Sequence, residues 1–281
     1  MRCRRYYRET CRPGEKVPRN EPRALKHPPI REAVIEVRVE LDDPKGRLEL
    51  LKSLADKLTS QYPKVSPLEH FEGAFTLEKA TGKASAETKK FEQRGFRLSA
   101  EDKGAVVQLI RDRLVFSLVL NEPGTYQGWN SLCGPALQLW TDFHQAIGKP
   151  KVTRVGLRFI DLIETPPIEA AIGQSSGTDG LPMVNMFHRL PAIEWGEQRV
   201  TVARSEVHSP DGRKRLILQQ AWTKKPESDA FLLTLDIDAI AFGPFDGAVD
   251  ELRGTLEELR VIKNQAFFDT FAPEVLKGFD Q

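Results

Sequence analysis

The stretch VIEVRVEL, residues 34–41, decides how this chain folds. Its apolar side chains fall at every second position: Ile35, Val37, Val39 and Leu41. The charged side chains lie between them: Glu36, Arg38 and Glu40. Because successive side chains of a strand point to opposite faces, this alternation predicts a strand with one buried face and one solvated face.

A helix, three strands and a second helix are predicted after this first strand. Apolar residues recur at three- and four-residue spacing over residues 48–62, which predicts an amphipathic helix closed by Pro63. Alternating stretches between turn sequences predict the strands, at residues 96–100, 105–111 and 114–120. The second helix is predicted at residues 132–147, and Gly134-Pro135 is expected to bend it or delay its start.

The order of elements then repeats in the rest of the chain. Residues 152–163 alternate and predict another leading strand. A short helical piece is expected at residues 168–172, followed by a flexible loop at residues 174–180. Three strands are predicted after them, at residues 199–208, 215–223 and 231–240. Apolar spacing over residues 249–266 predicts the final helix.

These elements predict two similarly organised halves, residues 30–150 and 151–281, each with the order strand–helix–three strands–helix. The halves share this order but no residue repeat. Such a plan predicts an α+β fold, in which an antiparallel sheet carries its helices on one face. The polar positions of the strands are then expected to line the other, open face.

Residues 1–29 form a basic arm ahead of this organised sequence. They hold nine Lys and Arg against three Glu, a charge of +6, which leaves −5 on the remainder because the whole chain carries +1. No apolar periodicity runs through the arm, so we expect it to be a disordered leader. Its alternative role is a nucleic-acid tether, because Lys and Arg release counterions from phosphates.

Composition indicates a cytoplasmic protein. No apolar run approaches the roughly 18 residues of a membrane helix, and the N-terminus lacks the apolar core of a secretory signal. Cys3, Cys11 and Cys133 are few and lack zinc-ligand spacing, so we expect reduced thiols. No membrane association, metal site or cofactor is expected, and the sequence does not indicate an oligomeric state.

The candidate ligand-binding residues are charged side chains on the open face of the sheet: Arg38, Arg154, Arg158, Asp236 and Asp238. Residues two apart on a strand point the same way, so these charges form rows. Arginine could bind an anion through its planar fork, and the paired aspartates could hold a cation or a water molecule. The alternative is that acidic and basic rows simply pair across strands on a solvated face.

No strong catalytic motif occurs in the sequence. It lacks a phosphate loop, a dinucleotide fingerprint, a Gly-x-Ser-x-Gly elbow and a His-Glu-x-x-His pair. This absence favours a protein without catalytic activity, and no catalytic residue is assigned, although catalytic side chains can also come from distant strands.

Residues 27–38, HPPIREAVIEVR, resemble the opening of a sporadically distributed family of uncharacterised bacterial proteins. Members of that family begin with a similar Pro-Pro-Ile-x-Glu-Ala-Val-Ile-Glu-x-Arg segment. Three further stretches resemble the same family: residues 126–129 (YQGW), 154–160 (RVGLRFI) and 235–238 (LDID). The resemblance covers about residues 25–275 and implies a bacterial accessory protein, without an activity or catalytic residues. Sporadic distribution suits a mobile or defence-associated gene that works with a neighbouring partner.

Two functions follow as hypotheses. The first is a non-catalytic binding or interaction module whose open sheet face, or its edges, engages a macromolecular partner, most simply a protein. The second is an enzyme or binder that acts on a phosphorylated small molecule in a charged sheet groove. Nucleic-acid binding through residues 1–29 is a third possibility, and it predicts an affinity that weakens with salt.

Overall fold

The computed structural model of the chain describes residues 25–40, 44–77, 84–122, 124–164, 200–224, 231–271 and 273–280. The strands in these ranges are β1 (Ile30–Val39), β2 (Lys64–Leu77), β3 (Ala84–Ala100), β4 (Ala105–Ile110), β5 (Arg113–Val119), β6 (Val152–Glu164), β7 (Val200–His208), β8 (Lys214–Lys224) and β9 (Phe231–Phe245). The helices are α1 (Pro44–Leu58), α2 (Trp129–Ala146), α3 (Val249–Thr270) and α4 (Pro273–Gly278).

All nine strands form one sheet, in the order β2-β3-β4-β5-β1-β6-β9-β8-β7. Every neighbouring pair is antiparallel. The leading strands of the two predicted halves, β1 and β6, lie side by side at the centre. Moving outward from each of them, one meets the last strand of its half first and the earlier strands after it. The repeated element order therefore has a counterpart in the order of the strands.

The apolar positions of the strands form the core under the helices. Ile35 and Val37 of β1 and Leu157 and Phe159 of β6 are almost fully buried in it. Buried side chains of α1, α2 and α3 belong to the same cluster. A second cluster combines residues of β6, β8 and β9 with the end of α3 and α4. The prediction of an α+β fold, with an antiparallel sheet and helices on one face, is confirmed.

The first half contains four strands after α1, where the sequence predicted three. β2 was missed because Pro67 lies within it and lacks the N–H that a ladder hydrogen bond needs. β2 is the first strand in the sheet order, a position that tolerates proline. β3 is also much longer than predicted. Its first part, ASAETKK, shows no clear alternation of large apolar residues, so the sequence prediction did not include it. The start of β1, at Ile30, lies four residues earlier than predicted.

Parts of the sequence predictions lie outside the described residues. These are residues 1–24 of the basic arm, the helical piece at residues 168–172 and the loop at residues 174–180. The boundary between the halves near residue 150 stays a prediction, since both halves contribute strands to one sheet. No helix in the described ranges is long and apolar enough to cross a membrane.

Two buried side chains tie the helices to the segments that adjoin the strands, and a third packs beside them. Arg47 is buried near the start of α1 and donates hydrogen bonds of 3.0 Å to the carbonyl oxygens of Glu40 and Arg111. Trp140 of α2 is buried, and its indole N–H donates to the carbonyl of Gly247 at 2.9 Å. The ring of His144 stacks on that indole, with 4.6 Å between ring centroids.

Helix α2 begins at Trp129 and continues through Pro135, so the proline does not delay its start. Gly128, which precedes the helix, has a φ of 94°, a conformation that favours glycine. Pro135 itself is exposed and contributes little to the core. It also cannot donate the helical hydrogen bond to the carbonyl of the residue four positions before it.

Replacing this proline is expected to stabilise the protein. Pro135→Ala restores a helical N–H donor at an exposed position, which should raise the free energy of unfolding by about 1–3 kcal/mol. Urea denaturation monitored by far-UV circular dichroism measures the change, with Gln138→Ala, at an exposed position of the same helix, as the control. A less stable Pro135→Ala variant would show that α2 depends on the proline.

Candidate functional site

The pairing of β1, β6 and β9 brings the five candidate residues onto one face of the sheet. Arg38 of β1 lies directly opposite Arg154 of β6. Arg158 lies opposite Asp238 of β9, and Asp236 lies two positions before Asp238 on the same face of that strand. All five side chains are therefore neighbours on the sheet face opposite the helices. Glu36, which contacts Arg38 and Arg154 of this group, was not among the candidate residues from the sequence.

The carboxylate of Glu36 contacts three arginines. It accepts hydrogen bonds of 2.7 Å from Nε of Arg38 and from Nη1 of Arg154. Nη1 of Arg113, on β5, lies 3.6 Å from its other oxygen. These contacts fix the three guanidinium groups around one point, because charge-assisted hydrogen bonds are short and directional.

The aspartates of β9 hold the two arginines of β6. Asp236 accepts two hydrogen bonds from Arg158, of 2.8 and 2.6 Å, and this bidentate contact raises the pKa of Arg158. Asp238 accepts a longer bond of 3.4 Å from Nη2 of Arg154. No group of three His, Cys, Asp or Glu side chains suited to a metal ion occurs in the described ranges.

Of the two arginine–aspartate pairs, Arg154–Asp238 compensates the cost of burying its charges less well, because its hydrogen bond is longer. Burial lowers the pKa of Arg154 and raises the pKa of Asp238, in each case against the attraction of opposite charges nearby. Nε of Arg154 is buried without a hydrogen-bond partner among the described residues. Burial thus disfavours the charged form of both groups, and Arg154 has one donor left without a partner among the described residues.

A cavity of about 410 Å³ lies over this pair. We call it the polar groove, and its lining residues are Glu32, Val34, Glu36, Arg38, Gln108, Val115, Ser117, Arg154, Gly156, Arg158 and Asp238. Gly156 lies opposite Glu36 at its centre, and a side chain there would contact Arg154, Asp238 and Glu36. The absence of a side chain at Gly156 therefore helps keep the groove open.

The polar groove carries charges of both signs in equal number. Three of its lining residues are arginines, and three are carboxylates, so its formal charge is zero. Arg154 pairs across the strands with Glu36 and Asp238. Arg38 pairs with Glu36 along β1. Cross-strand pairing is the arrangement that the sequence left as an alternative to ligand binding. The groove differs from an ordinary solvated face because its central pair is half-buried and Nε of Arg154 has no hydrogen-bond partner among the described residues.

A second candidate site lies on the opposite face of β6 and was not predicted. Asp161 is 2% exposed, and Lys263 of α3 is 9% exposed. Burial raises the pKa of Asp161 to about 7 and lowers the pKa of Lys263 to about 8, although each attracts the other. Perturbed ionisable groups of this kind are concentrated at functional sites.

A signal for this pair was present in the sequence. Asp161 continues the apolar positions of β6, two residues after Phe159, and Lys263 continues the apolar stripe of α3, four residues after Leu259. A charge in phase with an apolar stripe is expected to be buried. Among the cysteines, Cys133 is a buried free thiol, and Cys3 and Cys11 lie outside the described residues.

Asp161 and Lys263 line a cavity of about 180 Å³. We call it the aromatic pocket, and its lining residues are Leu25, Pro28, Pro29, Ile30, Tyr126, Gly128, Trp129, Phe159, Asp161, Arg260, Lys263, Asn264, Phe267 and Phe268. Three of the four stretches that carry the family resemblance contribute to its walls. Trp129 is anchored, because its indole N–H donates to Glu257.

Comparisons with known proteins do not assign the chain to a family. No protein-family model and no curated protein matches it. Among solved structures, the S. pombe Pct1 RNA triphosphatase in complex with the Spt5 CTD aligns with 91% of this chain and 84% of its own, at 7% identity and a TM-score of 0.13. A score of that size carries no argument about fold or function. The family resemblance therefore stays a prediction.

The buried carboxyl group is expected to make stability depend on pH. In the unfolded chain Asp161 has an ordinary pKa of about 4. Between that value and about 7 the folded protein keeps a proton that the unfolded chain releases. The stability that protonated Asp161 contributes is thus fully present below about pH 4 and is lost as the pH rises through about 7.

Asp161→Asn removes this titration. Its free energy of unfolding should therefore rise relative to that of the wild type between about pH 4.5 and about pH 7.5. Urea denaturation at both pH values measures the difference. Asp56→Asn, at an exposed position of α1, serves as the control and should follow the wild type. A parallel pH dependence in Asp161→Asn and wild type would refute the assignment.

Proposed function

We propose that the protein is a non-catalytic interaction module that binds a partner protein through the polar groove. The observation that carries the proposal is the half-buried Arg154–Asp238 pair: burial shifts the pKa of each group toward its neutral form, and Nε of Arg154 lacks a hydrogen-bond partner among the described residues. Ionisable groups that burial perturbs in this way are typical of functional sites. Completing their contacts requires groups of both signs, or neutral donors and acceptors.

The charge balance of the groove favours a protein over a phosphorylated small molecule. A ligand that carried only phosphate groups would satisfy the guanidinium of Arg154 but would repel Asp238 and Glu36. A protein surface can present Lys or Arg to the carboxylates and Asp or Glu to the arginines. The polar lining also favours a protein partner, because small-molecule pockets are mostly apolar.

Two arginines of the polar groove are held in position before a partner binds. Arg38 and Arg158 lie two residues beyond the Glu36–Gly156 pair on their respective strands. Their side chains are 36% and 46% exposed, while Glu36 and Asp236 hold their Nε groups. Binding therefore costs little further side-chain ordering at these two positions. The proposal places the module in the cytoplasm and, on the resemblance alone, among bacterial accessory proteins.

Site-specific photocrosslinking in cells tests this proposal. A photoreactive amino acid replaces Gln108 in the groove or, as the control, Val261, which is 65% exposed on α3. The groove position is expected to crosslink to a distinct protein, and the control position is not. Arg38→Glu with Arg158→Glu should reduce that crosslink by at least roughly tenfold, because like charges placed together cost several kcal/mol.

A further variant, Arg154→Gln, separates a partner protein from a phosphorylated ligand. Inorganic tripolyphosphate is added to purified protein in a thermal-shift assay. Under the proposal it raises the melting temperature of neither the wild type nor Arg154→Gln. A rise in the wild type that Arg154→Gln abolishes, or crosslinks that the paired charge reversals leave intact, would overturn the proposal.

A further inference from the structure

The aromatic pocket lies on the helix side of the sheet, away from the polar groove. Its walls come from three places: the entry to β1, the turn that leads into α2, and the contact between β6 and α3. Nine of its fourteen lining residues are aromatic, aliphatic or proline, which is the composition of a small-molecule site. Its volume of about 180 Å³ lies below the range of about 300–1,000 Å³ for drug-sized ligands. It therefore suits a ligand with about one ring.

The aromatic side chains are arranged around the polar end of the pocket. Tyr126 and Phe159 meet edge to face, with ring centroids 5.9 Å apart. The ammonium group of Lys263 lies 4.0 Å from the centre of the Phe159 ring, and the guanidinium of Arg260 lies 5.1 Å from that of Trp129. The pocket thus offers ring edges and faces for an apolar body, with cations beside them.

The polar groups give the pocket an excess of donors. Arg260, Lys263 and Asn264 lie at three- and four-residue spacing on one face of α3, and all three carry N–H donors. Asp161 is the one carboxyl group among the lining residues. The lining residues themselves carry two cations and one carboxyl group, a formal charge of +1. Glu257 pairs with Arg260 at 3.2 Å, which leaves Lys263 as the cation that faces Asp161. The complement of the pocket is an anionic group that accepts hydrogen bonds.

We propose that the aromatic pocket binds a small organic acid, in which a single ring or branched apolar body carries a carboxylate. The apolar body packs against Trp129, Phe159 and Phe267. The carboxylate accepts hydrogen bonds from Lys263 and Asn264. This site lies on the opposite face of the sheet from the polar groove, so it can fail or succeed independently of the proposed interaction module.

The ionisation of the pocket supports an anionic ligand. Near neutral pH a fraction of Asp161 is protonated and can donate a hydrogen bond, while most of Lys263 is charged. The groups that act on this pair are Arg260 on α3 and Asp236 on β9. Tyr126, in the turn before α2, stays a neutral phenol because burial raises its pKa. Affinity for an acid should therefore fall as the pH rises through about 8, when Lys263 loses its proton.

Three matched probes test the charge preference on the full chain. Phenylacetate is the acid, phenylacetamide its neutral analogue and phenethylamine its cationic analogue. Isothermal titration calorimetry should show phenylacetate binding at least roughly tenfold more tightly than either analogue, as expected when one charge-assisted hydrogen bond is removed. Its affinity should also fall between about pH 6.5 and about pH 9.

Two variants locate the binding. Lys263→Met removes the cation with little change in shape, and Asn264→Asp adds a negative charge without altering Lys263. Both should abolish the preference for phenylacetate over phenylacetamide. If Lys263→Met does not fold, the result with Asn264→Asp alone tests the proposal. Lys52→Met, at an exposed position of α1, is the matched control and should bind like the wild type. The proposal is overturned if none of the probes binds, if the amide or amine binds as tightly as the acid, or if Asn264→Asp keeps the preference.

Discussion

Backbone pairing between β1 and β6 sets Glu36 opposite Gly156 and Arg38 opposite Arg154 at the centre of the sheet. The rest of the structure depends on this register. A shift of one residue would turn every side chain of one strand to the other face. It would bury the charges of β1 against the helices and expose Ile35 and its apolar neighbours. The hydrophobic pattern of the two strands therefore specifies the core and the polar groove together.

Strand β6 carries a candidate site on each of its faces. Arg154 points into the polar groove, and Asp161 points into the aromatic pocket beneath α3. In both places burial shifts the pKa of charged groups against the attraction of their partners. Such groups stabilise a fold poorly, because desolvation offsets most of the attraction between them. Their concentration on one central strand is explained more readily by binding than by stability.

Periodicity in the sequence predicts individual strands and helices. It does not predict which residues of distant strands lie opposite each other. Alternation in residues 34–41 identifies β1, its buried face and its charged face. It carries no information on the register against β6, so the contact of Glu36 with three arginines could not be predicted. β2 and the first part of β3 lack alternation. They pair through backbone hydrogen bonds, which many side chains allow, so the pattern of side chains did not reveal them. Asp161 and Lys263 were each detectable as a charge in an apolar row, but their contact with each other was not.

A double-mutant cycle on Glu36 and Arg154 tests the central pairing most directly. The two side chains are 19% and 18% exposed, with 2.7 Å between Oε1 and Nη1. Glu36→Gln and Arg154→Gln, alone and together, should give a coupling energy above about 1 kcal/mol, beyond what exposed pairs reach. Lys64 and Glu101, an exposed pair, form the control cycle and should couple by less. A coupling energy indistinguishable from zero between Glu36 and Arg154 would contradict the register of β1 against β6.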